Sequence, residues 1–345
     1  MTDAIRASGP LDGPSHDGAG PAPVVVTLGE SMGLLSSVTP GPLAHASTLQ
    51  LGMGGSESNV AIGVSRLGVR AVWCGRVGDD AVGRLVAREI RAEGVDVRVV
   101  VDAGAPTGLM LKERRTSTSQ SVSYYRTGSA GSRLRADDVD AGLVEAATVL
   151  HVTGITPALS ESAAEAVRSV VDRARGAGVV VSFDVNYRSA LWSEAEASRV
   201  CRDLVARCDI VFAGEDEAAM LVGPAGPAGE AGDEEAAAVG LARRLAALGP
   251  SQAVVKRGAS GAVAVVDGAV LRRPGIPLVA HDTVGAGDAF VAGWLAETAL
   301  GRDPGRCMTT AVAAGAFACL AAGDWEGLPR RAELALLEER DPVRR

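Results

Sequence analysis

The chain has 345 residues, 47% hydrophobic and 3% aromatic, with a formal net charge of −8 and no basic tract. This length passes the ~250–300 residues at which a single core stops growing, so one large domain with a smaller lobe is expected. The negative balance argues against nucleic acid or an anionic membrane as partner, and no apolar run approaches the ~18 residues of a membrane span.

Residues 1–22 are rich in Gly, Pro, Ala and Asp and lack the apolar stretch of a signal peptide. They read as a flexible tail, with the cytoplasm as the expected location. Val24–Leu28 is a short apolar run ending at Gly29 and predicts a buried strand. From Met32 to Met53, apolar patches are separated by Thr39-Pro40-Gly41-Pro42, which fits short strands joined by turns. Gly54-Gly55 opens a helix in which Val60, Val64 and Leu67 recur at helical spacing, closed by Gly68. Val72–Val77 is the next strand and Val82–Ala92 the next helix, closed by Gly94. Residues 96–126 return to strand-like text with one wet face, including Leu109–Leu111 and Val122–Tyr125. The patches at 31–53 and 96–126 are expected to form one small sheet, a lid on the main domain.

After residue 135 the alternation is regular. Strands are predicted at Val149–Val152, Val179–Phe183, Ile210–Phe212, Ala253–Val255 and Ala262–Val266. Helices lie between them, for example after Ser160 and after Ser193, whose Glu196 completes a capping box. Such alternation predicts an α/β fold with a doubly wound, mostly parallel sheet over residues 23–335. Gly223–Asp233 reads as a solvent loop and 336–345 as a second tail. Cys74, Cys201, Cys208, Cys307 and Cys319 form no C-x-x-C pair and read as buried free thiols. His16, His45, His151 and His281 lack metal-ligand spacing, and Lys112 and Lys256 are the only lysines.

The strongest chemical signal is Asp282-Thr283-Val284-Gly285-Ala286-Gly287-Asp288, followed by apolar helix text. Gly-Ala-Gly leaves a ligand unobstructed, and amides that open a helix form an anion site. A carboxylate just beyond such a nest can take the proton from a hydroxyl in line with a phosphoryl group. On its glycines alone, the segment would also fit a turn with an Asp cap. Gly54-Gly55-Ser56-Glu57-Ser58-Asn59 allows close backbone approach, and Asn59 offers donor and acceptor to sugar hydroxyls, although an ordinary helix start fits too. Phe183–Arg188 ends a buried strand, so its polar residues face the crevice at the carboxyl ends of parallel strands. Lys256-Arg257-Gly258-Ala259-Ser260-Gly261 ends another. Tyr124-Tyr125-Arg126 sets ring hydroxyls beside a guanidinium, which binds carboxylate bidentately and which a neutral sugar would not require.

Together these motifs resemble those of the ribokinase-like (PfkB) carbohydrate kinases. Asp282–Asp288 matches that family's C-terminal signature at every residue, and Gly54-Gly55 resembles its N-terminal glycine motif. The resemblance implies an ATP-dependent kinase with Asp288 as base and Gly285, Ala286 and Gly287 stabilising the transferring phosphoryl group. It implies Gly54, Gly55 and Asn59 at the sugar, and Asn186, Lys256, Gly258, Gly261, Gly285 and Gly287 at ATP. Magnesium would be handled through water by Glu217, although Gly214 stands where the family usually has Asn. Asp282 would help hold a monovalent cation such as potassium.

A narrower resemblance concerns the substrate. Tyr124-Tyr125-Arg126-x-x-Ser129-Ala130, Asp184-x-Asn186-Tyr187-Arg188 and Gly323-Asp324-x-Glu326-Gly327 resemble the 2-keto-3-deoxygluconate kinase branch, over about Val24 to Gly327. Tyr124, Arg126 and Arg188 would then hold the keto-acid end while Asp288 faces the hydroxyl on C6. Met110 occupies a lid position where that branch can carry a tyrosine. A kinase for a neutral sugar such as fructose or ribose stays open. So does a non-catalytic sugar sensor, against which Asp288 and the complete Gly-Ala-Gly run speak. A nicotinamide oxidoreductase would need a G-x-G-x-x-G after the first strand, which is absent. An exposed edge on the lid sheet leads us to expect a homo-oligomer, a dimer or larger.

Overall fold

The computed structural model describes residues 22–116, 119–224 and 234–337. The tails expected at 1–22 and 336–345, and the loop expected over Gly223–Asp233, fall wholly or largely outside the described residues. Thirteen strands are described. In chain order they are β1 Val24–Leu28, β2 Met32–Ser37, β3 Leu49–Gly54, β4 Arg70–Gly78, β5 Asp96–Asp102, β6 Leu109–Arg114 and β7 Gln120–Tyr125. After them come β8 Val149–Thr153, β9 Val180–Asp184, β10 Ile210–Gly214, β11 Gln252–Lys256, β12 Ala262–Val266 and β13 Ala269–Arg273. The helices are α1 Ser56–Arg66, α2 Ala81–Ala92, α3 Ala141–Glu145, α4 Glu161–Gly176, α5 Glu194–Val205, α6 Glu215–Val222, α7 Glu234–Ala246, α8 Ala286–Ala299 and α9 Pro304–Ala318.

Nine strands form one sheet in the order β13-β12-β11-β10-β9-β8-β1-β4-β5, parallel from β11 to β5. β12 and β13 add antiparallel at the edge, because Arg257–Gly261 is too short a connection for a crossover helix. Alternate residues of the inner strands enter two separate cores. Val24, Val26 and Leu28 face one with α4 to α7, while Val25 faces the other with α1, α2, α8 and α9. That two-sided burial is why the strands read as near-continuous apolar runs. The chain winds outward from β1 in both directions, so the order reverses beside β1, and ligands bind outside the carboxyl ends of strands at such a point. Among the described residues, no helix is long and apolar enough to cross a membrane.

A second sheet, β3-β2-β6-β7, forms the lid. Both lid patches contribute to it, but β5 does not. Asp96–Asp102 pairs in parallel with β4 at the edge of the large sheet. As an edge strand it is partly covered along its length, with Arg98 and Val101 exposed and no residue fully buried, and such text cannot be told from a lid strand in sequence. The lid therefore takes its second half from Leu109 onward.

Candidate active site

Two helix starts converge at the reversal in strand order. Helix α8 opens at Ala286, and its N-cap Gly285 has a left-handed backbone, φ 75°. A side chain there would be strained and would overlap the Asp324 carbonyl, so glycine is required by the fold itself. Gly287 differs. A Cβ on it would meet only the Lys256 ammonium at 3.7 Å, so its bareness leaves room for a ligand. Farther along, Phe290 and Trp294 pack edge-on to Phe212 of β10, and the Trp294 indole donates to Gln252 Oε1 at 3.1 Å. The helix that carries Asp288 is thereby locked to the sheet.

Asp288, in the first turn of α8, receives both partners from the first turn of α1. Ser56 Oγ donates to Oδ1 at 2.6 Å and Asn59 Nδ2 donates to Oδ2 at 2.8 Å. Asn186, just beyond β9 with φ 40°, donates its amide to Ser56 Oγ at 2.8 Å. Enclosure pushes the Asp288 carboxyl above the ordinary carboxylate range, while the bonds from Ser56 and Asn59, then Arg188 and Lys256, pull it back. The carboxylate is thus oriented by donors, more basic than usual, and open to the cleft.

At the end of β11, Lys256 donates to both oxygens of Asp184, at 2.8 and 2.7 Å. Burial pushes Asp184 up to about 6 against the pull of that ammonium, and the adjacent carboxylates hold Lys256 above its ordinary value although burial opposes its charge. Glu217 turns inward: it accepts the Gly214 and Tyr187 amides at 2.6 and 2.8 Å and lines neither cavity described below. With Gly214 offering only its backbone, this carboxylate does the work of a helix cap. The two arginines expected at the substrate, Arg126 after lid strand β7 and Arg188 after β9 of the large sheet, differ in state. Arg126 is buried in an ion pair with Glu30, through Nη2 at 2.6 Å and Nε at 2.7 Å, and lies over the Tyr124 ring at 5.6 Å. Ser129 Oγ donates to the same Glu30. Arg188 is exposed and has no ion-pair partner among the described residues.

A cavity of about 740 Å³ lies between the lid and the sheet, lined by Asn59, Tyr124, Arg126, Arg188, Lys256 and Asp288 among others. A second, of about 390 Å³, lies on the other side of the α8 start between Gly258, Gly261, Ile276, Pro277, Phe290 and Val312. Both touch Lys256, Thr283 and Gly287. Gly55 lines the first cavity and Ala286 the second, whereas Gly54 packs under Asp324 and Met110. Met110 is buried and paired across the lid with Tyr124. Asp282 stands outside both cavities, engaged by Lys112 of β6 at 3.0 Å.

The sequence reading missed Glu30, Ser56 and Asp324 as working residues, and the apolar cleft entirely. Ser56 sat inside the glycine motif and Glu30 at the end of the first strand, so position alone could have flagged them. Ile276, Pro277 and Val312 carry no local signal, because apolar residues in loops and helices are ordinary.

The model of the pfkB family carbohydrate kinases matches residues 23–331. The chain belongs to this family. It is an ATP-dependent carbohydrate kinase with the ribokinase-like fold. It is 38% identical over 310 residues to the 2-dehydro-3-deoxygluconokinase of Thermoproteus tenax, covering 88% of this chain and 91% of that one. With the 2-dehydro-3-deoxygluconokinase of Bacillus subtilis it shares 36% over 313 residues, 90% and 94% of the two chains. Among solved structures, a putative ribokinase II from E. coli in complex with ATP and Mg2+ superposes with a TM-score of 0.82 at 26% identity, covering 92% of this kinase and all of that chain.

Proposed function

We propose that this kinase transfers the terminal phosphoryl group of ATP to the C6 hydroxyl of 2-keto-3-deoxygluconate, the compound also called 2-dehydro-3-deoxygluconate. The reading rests on the junction of the two cavities at Gly287 and Lys256, with the Asp288 carboxylate on the lid side of it. The apolar cleft suits the adenine ring and the lid cavity a sugar acid. Asp288 accepts the hydroxyl proton as the new oxygen–phosphorus bond forms and the bond to ADP breaks. Ser56 and Asn59 keep its lone pairs aimed, and the α8 amides with Lys256 take up the charge that builds on the phosphoryl oxygens. Mg2+ would arrive on the nucleotide, held mainly by phosphates and water, with the Asp184 and Glu217 charges nearby.

The acid end of the substrate is supported by Arg188, exposed and without an ion-pair partner among the described residues, and by the names of the two relatives above. Tyr124 and Arg126 complete that wall, Arg126 with part of its fork already given to Glu30. The homo-oligomer belongs to the same proposal: β3 and β7 are the outer strands of the lid, and Leu51 and Tyr125 on them are exposed. A coupled ADP-release assay tests the substrate. The kcat/KM for 2-keto-3-deoxygluconate should exceed that for fructose or ribose by at least one to two decades, roughly what a charge-assisted hydrogen bond in a closed site contributes. Preference for either neutral sugar would leave the kinase standing and remove the acid.

A further inference from the structure

Asp282, where the family resemblance implies a monovalent cation, is surrounded by donors instead. Lys112 Nζ meets Oδ2 at 3.0 Å, while Gln120 Nε2 and the Val284 amide meet Oδ1 at 3.2 and 3.1 Å. The same ammonium lies 3.7 Å from Asp324. Asp324 in turn packs its backbone on Gly285 and its carboxylate on Gly54. One lysine of the lid, only 7% exposed, therefore spans two carboxylates that bracket both glycine turns of the site. Arginine carries nearly all the positive charge of this chain, and the two lysines both line the lid cavity. An ammonium is the compact point charge that fits between two acids, where a planar guanidinium is bulkier.

We infer that Lys112 is a positioning residue, a tethered cation that takes the place of a bound monovalent ion at the phosphate loop. It neutralises Asp282 and Asp324 and holds the Asp282–Gly287 turn in the form that presents its amides to phosphate. Because Lys112 rides on β6, the loop keeps its counter-charge only while the lid is seated. The enzyme consequently needs no added monovalent cation. This rests on the kinase activity and not on the choice of sugar.

The test compares KCl with tetramethylammonium chloride at equal ionic strength, using whichever sugar the wild type phosphorylates fastest. Wild-type kcat and melting temperature should be the same in both salts. Lys112→Met should lose activity roughly ten- to hundredfold, as expected when a charged hydrogen bond goes unmade. It should regain part of that loss in KCl, and show a potassium-specific rise in melting temperature that the wild type lacks. Lys112→Arg, which keeps the charge, should remain indifferent to potassium. A several-fold stimulation of the wild type by potassium, with a matching thermal shift, would overturn the inference by revealing an ion site. So would a Lys112→Met enzyme with full activity, or one whose lost activity no cation restores, since that marks a packing strut. If Lys112→Met does not fold, the wild-type and arginine arms still decide.

Discussion

Helix α8 and the lid meet across the same cavity but are built differently. Ten of the fourteen residues of α8 are buried, and its aromatic side chains key it to β10. The lid's own apolar cluster holds only Met32, Leu34 and Met110, and its outer strand β7 is largely exposed. The proposed base thus sits on an element packed firmly into the core, as in-line transfer would demand. The lid takes its shape from polar links to the body, such as Arg126 to Glu30 and Lys112 to Asp282.

The largest expected effect tests the rigid side. Asp288→Asn keeps the shape but cannot accept a proton, so kcat should fall ~10²–10⁴-fold. ATP should still raise the melting temperature. The Asp288 carboxyl is pushed above its ordinary range, so its ionised form costs stability at neutral pH and the cost vanishes as pH falls through the folded value. Asn removes that cost, and the unliganded variant should melt no lower than wild type at pH 7. Near wild-type turnover would show that another group is the base.

Next comes the contrast between the arginines. Arg188→Ala should lower kcat/KM for the sugar acid by about one to two decades while sparing residual activity on fructose and the melting temperature. Arg126→Ala strands the buried Glu30 carboxylate, a change that typically costs about 3–5 kcal/mol, so it should impair both sugars and destabilise the protein. Equal, substrate-selective losses from both would mean that Arg126 is as free for the acid as Arg188.

The smallest effect is a shift in pH dependence. As the proposed base, Asp288 must be ionised to act, so activity should fall as pH drops through its raised pKa. Ser56→Ala removes a hydrogen bond that favours the ionised form. The acid limb of kcat should therefore move to higher pH with a modest loss at the plateau. A limb that stays in place would assign it to another carboxyl, with Asp184, itself pushed up to about 6, the first candidate.

What the chain determined locally could be read locally. The alternation of apolar runs and helix text, the Ser193–Glu196 capping box, and the nest ending in Asp288 each depend on residues a few positions apart. Their physical causes are periodicity, capping and glycine geometry, all of which act within a turn or two. Only the tertiary structure decided that Asp96–Asp102 joins the large sheet, because a valine-rich, partly covered strand suits either edge. It also decided that Arg126 is held by Glu30, 96 residues away, and Asp282 by Lys112, 170 residues away. The apolar cleft is likewise assembled from turn, strand-end and helix residues that carry no shared pattern. A charge in sequence shows that a residue can pair; which acid it meets depends on how distant elements pack, and no local spacing encodes that.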